Sequence, residues 1–253
     1  MARGTIHGDD FSMDLHIAFA QALPPRDWLL AVRGGTLVGF VATDAWSRWT
    51  SKAFAMLDAE ERARVQRKRR AVDRDLATLA YAFHRLMLSA VLECAPAGVL
   101  LGRDGRGCPV VTGTPVETSL SHAEGLVAIA VSRTGPVGID IEPASRARDM
   151  EGIAGRVCHP RELAEMAALS GAERERELLS LWVRKEALLK AAGIGMAIEM
   201  DRFEAPADRV LALPGDVRTG SAVIRLFDGA EGCLAAVAAA PGPIASVWLT
   251  PPG

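Results

Sequence analysis

DRDLATLAYAFHRLMLSA (residues 73–90) and ERELLSLWVRKEALLKAA (residues 175–192) align without a gap. Arg74 with Arg176, Leu76 with Leu178, Leu79 with Leu181, Leu86 with Leu188 and Ala90 with Ala192 are identical. Asp/Glu, Thr/Ser and Met/Leu exchanges fill several further columns. Leu76, Leu79, Ala80, Phe83, Leu86 and Met87 recur at helical spacing. Two leucine-rich amphipathic helices resemble each other by chance often enough that the match alone leaves duplication open. Both, however, lie among strand-like segments. A repeat at this long spacing points to two similar α/β halves. The boundary falls near "RTGP", so that residues 1–134 form the first half and 135–253 the second.

Residues 28–42, WLLAVRGGTLVGFVA, read as strand, Gly-Gly turn and strand, a hairpin. LDAEERARVQRKRR then reads as a charged helix with Asp58 as N-cap and acids in its first turn. Glycines and prolines make 102–115 a loop. VETSLSHAEGLVAIAVS reads as a loop followed by a strand at 126–132, and GPVGIDIEP as a strand ended by Pro143. A polar helical stretch covers 161–192, and 196–249 reads as short strands and turns.

The chain has 253 residues, 49% of them apolar, and a formal net charge of −2. That length supports one large domain or two small ones, each with a real core. Near-neutral charge speaks against bulk binding of nucleic acid. Cys94, Cys108, Cys158 and Cys233 are scattered, which fits a reducing compartment better than a disulfide frame or a zinc site. The opening MARGTIHGDDFSM lacks the apolar region of a secretion signal. The most apolar later stretch, CLAAVAAAPGPIASVWL, is interrupted by Pro241, Gly242 and Pro243, short of the about 20 apolar residues a membrane span needs. A soluble cytoplasmic protein is expected, with no membrane and no nucleic acid among its partners.

Within VGIDIEP (137–143), alternation puts Asp140 and Glu142 on one face of the strand and Ile139 and Ile141 on the other. Two neighbouring carboxylates repel, and burying either without compensation is costly. Mg²⁺, which takes hard oxygen ligands and phosphate oxygens, would neutralise them; an edge strand with a solvated acidic face is the other reading. In LWVRKEALLKAAG (181–193), Glu186 and Lys190 share a helix face, as a surface ion pair would, and Trp182 lies on the same side. Gly193 reads as the helix stop. In SLSHAEG (119–125), Ser121 and His122 are adjacent, so their side chains diverge; they make a poor nucleophile–base pair but suit phosphate binding. Arg62, Arg64, Arg67, Lys68, Arg69, Arg70 and Arg74 crowd one stretch, and Arg106 sits in the Gly-rich loop. A solvated helix face accounts for much of that run; an anionic ligand nearby accounts for the rest.

Taken in order, SLSHAEG, VGIDIEP and WVRKEALLKAAG resemble the signature of the 4′-phosphopantetheinyl transferases, in the two-lobed surfactin-synthetase-activating type. The resemblance implies an α/β (α+β) fold of two pseudo-symmetric halves, each a small sheet packed on a long helix, with coenzyme A in the cleft between them. It implies transfer of 4′-phosphopantetheine from coenzyme A to a serine of an apo acyl or peptidyl carrier protein, with release of adenosine 3′,5′-bisphosphate. Asp140, Glu142 and Glu186 would hold Mg²⁺, with Mn²⁺ as the alternative. Lys190, Ser121 and His122 would contact phosphates, His122 the 3′-phosphate. Arg74 and Arg64 would bind the nucleotide end, and Arg106 would replace the lysine of a Lys-Pro pair common in relatives. Glu186 would also act as general base, with Lys190 the second catalytic residue. Ser119 stands where an Asn is common, a change expected to matter little. A monomer is expected, since one chain supplies both halves. A coenzyme A-binding module without catalysis is the competing reading.

Overall fold

The computed structural model describes residues 13–25, 34–195, 197–228 and 232–253. The first arm of the expected 28–42 hairpin therefore lies outside the described residues, apart from its turn. The helices are α1 (Leu15–Ala22), α2 (Thr50–Met56), α3 (Ala59–Gln66), α4 (Ala71–Leu92), α5 (Ala154–Val157), α6 (Pro160–Glu165) and α7 (Gly171–Ala192). The strands are β1 (Thr36–Ala42), β2 (Leu101–Arg103), β3 (Pro109–Val111), β4 (Glu117–Ala123), β5 (Leu126–Ser132), β6 (Val137–Pro143), β7 (Val210–Ala212), β8 (Ser221–Asp228), β9 (Cys233–Ala239) and β10 (Ile244–Trp248).

Two mixed α/β units repeat one plan. In the first, β1 pairs antiparallel with β5, which pairs antiparallel with β4. In the second, β6 pairs with β9 and β9 with β8 in the same sense. Each unit thus runs strand, long helix, then a strand pair, with α4 and α7 each 22 residues long. The sheet orders are β10-β1-β5-β4 and β6-β9-β8-β7. The last strand, β10, crosses back to lie parallel to β1 in the first sheet. Trp46 helps to seat this return, its indole N–H donating to the Leu249 carbonyl at 3.1 Å.

Alternation along the strands divides the interior into three cores. Leu37, Val41, Val127, Ile129 and Val131 face α4, whereas Leu234, Ala236 and Ala238 face α7. The opposite faces meet each other: Val38, Phe40, Ala128 and Ala130 pack with Ile139, Ile141, Ala235 and Val237. The small alanines let the two sheets approach closely. A glycine marks the matching point in each unit. A Cβ at Gly138 would collide with the Ala187 carbonyl and the Ala191 amide of α7, and one at Gly39 with the Met87 methyl of α4.

Several expected boundaries move. The basic helix starts at Asp58 as read, with a full capping box (Glu61 N to Asp58 Oδ1, 2.8 Å; Asp58 N to Glu61 Oε2, 3.0 Å). It stops at Gln66, and the carbonyls of Lys68 and Arg69 are taken by the Arg74 guanidinium at 3.1 and 2.9 Å. The loop assigned to 102–115 contains the β2–β3 ladder. The polar helical stretch is two helices, α6 and α7, parted at 166–170. Ser121 and His122 stand on strand β4 and not in a loop. The turn that makes this possible is Glu124-Gly125, both with positive φ (43° and 82°), the geometry of a two-residue hairpin.

Candidate active site

Strands β4 and β6 run side by side where the two sheets meet, and α7 covers β6. The strand period sends Ser119 and Ser121 of β4 toward β6. Ser119 Oγ accepts the Ile139 N–H at 3.1 Å, and Ser121 Oγ donates to Asp140 Oδ1 at 2.8 Å. Lys190, in the last turn of α7, places its Nζ 2.6 Å from Asp140 Oδ1, 3.1 Å from Ser121 Oγ and 3.0 Å from the Ile139 carbonyl. Three segments far apart in sequence thus meet at one point. Gly193, with φ 67°, ends the helix just beyond, as its sequence suggested.

Ile139 and Ile141 point into the inter-sheet core, leaving Asp140 and Glu142 facing α7. Asp140 is 5% exposed, and its Oδ2 is buried with no hydrogen-bond partner. Glu142 is held up at a pKa of about 7, first by burial and then by the negative charge of Asp140, against the pull of Arg146 and Lys190. Glu186 is raised by the same two causes in the same order. Lys190 does not pair with Glu186 along the helix. The Glu186 carboxylate has no hydrogen-bond or ion-pair partner among the described residues, although Lys190 and Arg146 draw its pKa down. Arg146 pairs with Glu142 and lies over the Trp182 ring, 4.7 Å from its centroid.

Among the described residues, no three His, Cys, Asp or Glu side chains converge as a ready cation cage. Lys190 and Arg146 hold the carboxylates of Asp140 and Glu142. The donor set still suits a hard divalent cation. It consists of carboxylate oxygens alone, Glu142 and Glu186 are raised by burial and then by the negative charge of Asp140, and one oxygen of Asp140 is orphaned.

His122 points away from Ser121, as adjacent strand residues must, and its pKa is lowered by burial first and then by the charges of Lys68, Lys190 and Arg103. The site therefore has an electropositive wall. Arg64 and Arg103 flank it, 5.6 and 6.0 Å from the Tyr81 ring centroid. Of the arginines expected here, Arg64 shares the Tyr81 ring with Arg103 and pairs with Glu60 at 3.5 Å. Arg74 is committed in part to the Lys68 and Arg69 carbonyls. Arg106 is exposed at the β2–β3 turn, and its backbone N–H is held by Asp104 at 2.9 Å. Lys68 and Arg103 went unnamed as site residues. Arg103 was hidden because β2 is a three-residue strand inside a stretch whose glycines read as loop.

Lys185 also went unnamed. It is fully buried, and its ammonium is saturated by Glu162 Oε2 (2.7 Å) and the carbonyls of Met200 (2.7 Å) and Phe203 (2.6 Å). This pins residues 200–203 beside α7. Met200 and Asp201 of this segment, together with Arg146 and Trp182, border a cavity of about 530 Å³.

The seam of this two-unit α/β protein thus brings together a carboxylate pair, a lysine and several further cations. Residues 136–220 match the model of the 4′-phosphopantetheinyl transferase superfamily. The chain is 31% identical over 147 residues to the 4′-phosphopantetheinyl transferase HetI of Nostoc sp., covering 56% of this chain and 62% of that protein. It is 27% identical over 183 residues to a 4′-phosphopantetheinyl transferase of Bacillus subtilis, covering 72% and 76%. The 4′-phosphopantetheinyl transferase psf-1 of Bacillus pumilus is 29% identical over 176 residues, covering 69% and 70%. The chain spans about three fifths of the length of the Nostoc relative. Over these stretches the chain is similar to the 4′-phosphopantetheinyl transferases.

Proposed function

We propose that the protein transfers the 4′-phosphopantetheine group of coenzyme A to a serine of an apo acyl or peptidyl carrier protein, releasing adenosine 3′,5′-bisphosphate. The observation that carries this reading is the junction of Ser121, Asp140 and Lys190, one residue from each of three separate motifs. Asp140, Glu142 and Glu186 would hold Mg²⁺ or Mn²⁺, which when bound would neutralise the pyrophosphate and orient it for in-line attack.

The serine oxygen attacks the β-phosphorus of coenzyme A, the P–O bond to the adenylate half breaks, and its electron pair leaves with the bisphosphate. Glu186 takes the serine proton. Among the described residues its carboxylate has no hydrogen-bond or ion-pair partner, which leaves it free to accept that proton. Lys190, fixed by Ile139 and Ser121, supplies preorganised positive charge to the phosphates. His122, Arg103, Lys68 and Arg64 hold the nucleotide end, with Arg74 and Arg106 at its margins. The carrier, an acidic partner, docks beside the 530 Å³ cavity, where Arg148 and Arg156 are exposed. No helix among the described residues is long and apolar enough to cross a membrane, which supports a cytoplasmic protein, and both halves of the site come from one chain, which supports a monomer.

Incubation with coenzyme A, Mg²⁺ and an apo carrier, followed by mass spectrometry of the carrier, tests the reading: the carrier gains one phosphopantetheine. Glu186→Gln abolishes the gain while coenzyme A binding survives, and wild-type turnover by that variant would remove both roles given to Glu186. The capping of Asp140 and Glu142 by Lys190 and Arg146 favours one second reading, a coenzyme A-binding module whose carboxylates stay neutralised internally. That reading requires cation-independent binding and an unmodified carrier.

A further inference from the structure

Arg146 stands on the short turn Ala144–Asp149 that follows β6, between Glu142 and the cavity. Its guanidinium pairs with Glu142, whose side chain is 13% exposed, and covers Trp182. Unlike Lys190, which has three partners, Arg146 has no other hydrogen-bond partner among the described residues, and its own side chain is 34% exposed. It also lines the 530 Å³ cavity, as do Glu199 and Asp201. Asp201 Oδ1 is buried without a hydrogen bond, its nearest cation being Arg202 Nε at 3.8 Å. An acceptor in want of a donor thus shares a cavity with a loosely tethered guanidinium.

We propose that Arg146 is a built-in counter-ion that competes with the divalent cation for Glu142 and, once displaced, crosses the cavity to Asp201. This inference rests on the reading of Asp140, Glu142 and Glu186 as cation ligands. A divalent ion on Glu142 would weaken the hold of that carboxylate on the guanidinium, and Arg146, unlike Lys190, has no other partner among the described residues to keep it in place. Asp201 gives the released charge a partner, and the same movement uncovers the Trp182 face of the cavity. The cation site and the cavity are thereby coupled through one side chain.

Calorimetric titration of the full-length protein with Mg²⁺ or Mn²⁺ alone tests this without reference to catalysis. Removing the competitor in Arg146→Gln tightens cation binding about 5-fold, the equivalent of one partly exposed ion pair. Arg146→Lys, which keeps the charge, stays near wild type. Asp201→Asn weakens binding about 2- to 3-fold in the wild-type background and changes nothing in Arg146→Gln, because there is no arginine left to receive. Equal or weaker binding by Arg146→Gln, with the wild type binding normally, would overturn the competition. An equal effect of Asp201→Asn in both backgrounds would overturn the crossing. Absence of any cation binding by the wild type would instead overturn the ligand assignment on which the inference stands.

Discussion

Lys190 Nζ lies 2.6 Å from Asp140 Oδ1, tying the last turn of α7 to the middle of β6, and the same ammonium reaches across the seam to Ser121 of β4. One side chain therefore registers both halves of the molecule. Removing it in Lys190→Met should lower the rate of carrier modification by about 10²- to 10³-fold, the range seen when a preorganised charge donor is lost. Stability should also fall, by about 1 to 3 kcal/mol, because the buried Asp140 carboxylate would keep only Ser121 as a partner. Initial rates and urea midpoints measured on the same preparation separate the two. A large drop in midpoint with little change in rate would mark Lys190 as a structural clamp.

The glycines at the two helix–sheet crossings should differ in their tolerance. At Gly138 a methyl meets backbone atoms of Ala187 and Ala191, which cannot move without shifting α7. Gly138→Ala should destabilise by about 3 kcal/mol or prevent folding, the upper end for overpacking. At Gly39 the obstacle is the flexible end of Met87, so Gly39→Ala should cost about 1 kcal/mol. Chemical unfolding of both variants checks the order, and equal costs would contradict it.

His84 sits on α4 at the position that the internal repeat matches to Glu186, but it serves the core. It bonds Thr118 Oγ1 at 2.7 Å, and burial, followed by the charges of Arg103 and Arg85, lowers its pKa from 6.5 to about 3. A depressed pKa means that the folded state resists protonation. The stability linked to His84 is present above pH 6.5 and is lost as the pH falls toward 3. His84→Gln should flatten this part of the stability–pH profile, and an unchanged acid slope would show that other groups carry it.

Much of this architecture was legible because two periodicities carry it. Alternation in VGIDIEP put Asp140 and Glu142 on the face opposite Ile139 and Ile141, which is how β6 lies. The helical match of 73–90 to 175–192 exposed the two-unit plan. What sequence did not show was set by contacts distant along the chain. Arg103 reaches the site only because β2 and β3 pair inside a glycine-rich stretch, and Lys68 only because Arg74 folds the end of α3 back. Ser119 was read as a minor change, yet its hydroxyl satisfies the Ile139 amide across the seam. Lys185 lies within the WVRKEALLKAAG motif, but nothing local shows that its partners are a glutamate and two loop carbonyls. The return of β10 to β1 left no local signal.

Glu142 makes a pH prediction of the opposite sign. Its folded pKa, about 7, lies above the ordinary value of 4.5, so its protonated form is favoured in the fold. The associated stability is present below pH 4.5 and is lost as the pH rises to about 7. A divalent cation should restore it at and above pH 7 but act weakly at pH 5, where the proton already occupies the carboxylate. Melting temperatures with and without Mg²⁺ across this range test the point, and Glu142→Gln should show neither the pH loss nor most of the cation rescue. A cation effect as large at pH 5 as at pH 8 would exclude Glu142 as a ligand.

The buried pair of Lys185 and Glu162 should behave as a unit. Glu162 Oε1 also accepts the Ala205 N–H at 2.8 Å, so the pair fixes both ends of the 200–205 segment. Lys185→Met leaves a buried carboxylate unpaired and should cost about 3 to 5 kcal/mol, as should Glu162→Gln, which leaves the ammonium without its counter-charge. The double variant should recover much of the loss, because the penalty of each single change is the stranded charge and not the missing attraction. If the position of this segment matters to the cavity, the double variant should still bind the carrier less well than wild type despite its recovered stability. A double variant as unstable as the sum of the singles would mean that the two side chains act separately and that the loop is held by its remaining contacts, among them Arg184 to the Ala205 carbonyl at 3.0 Å.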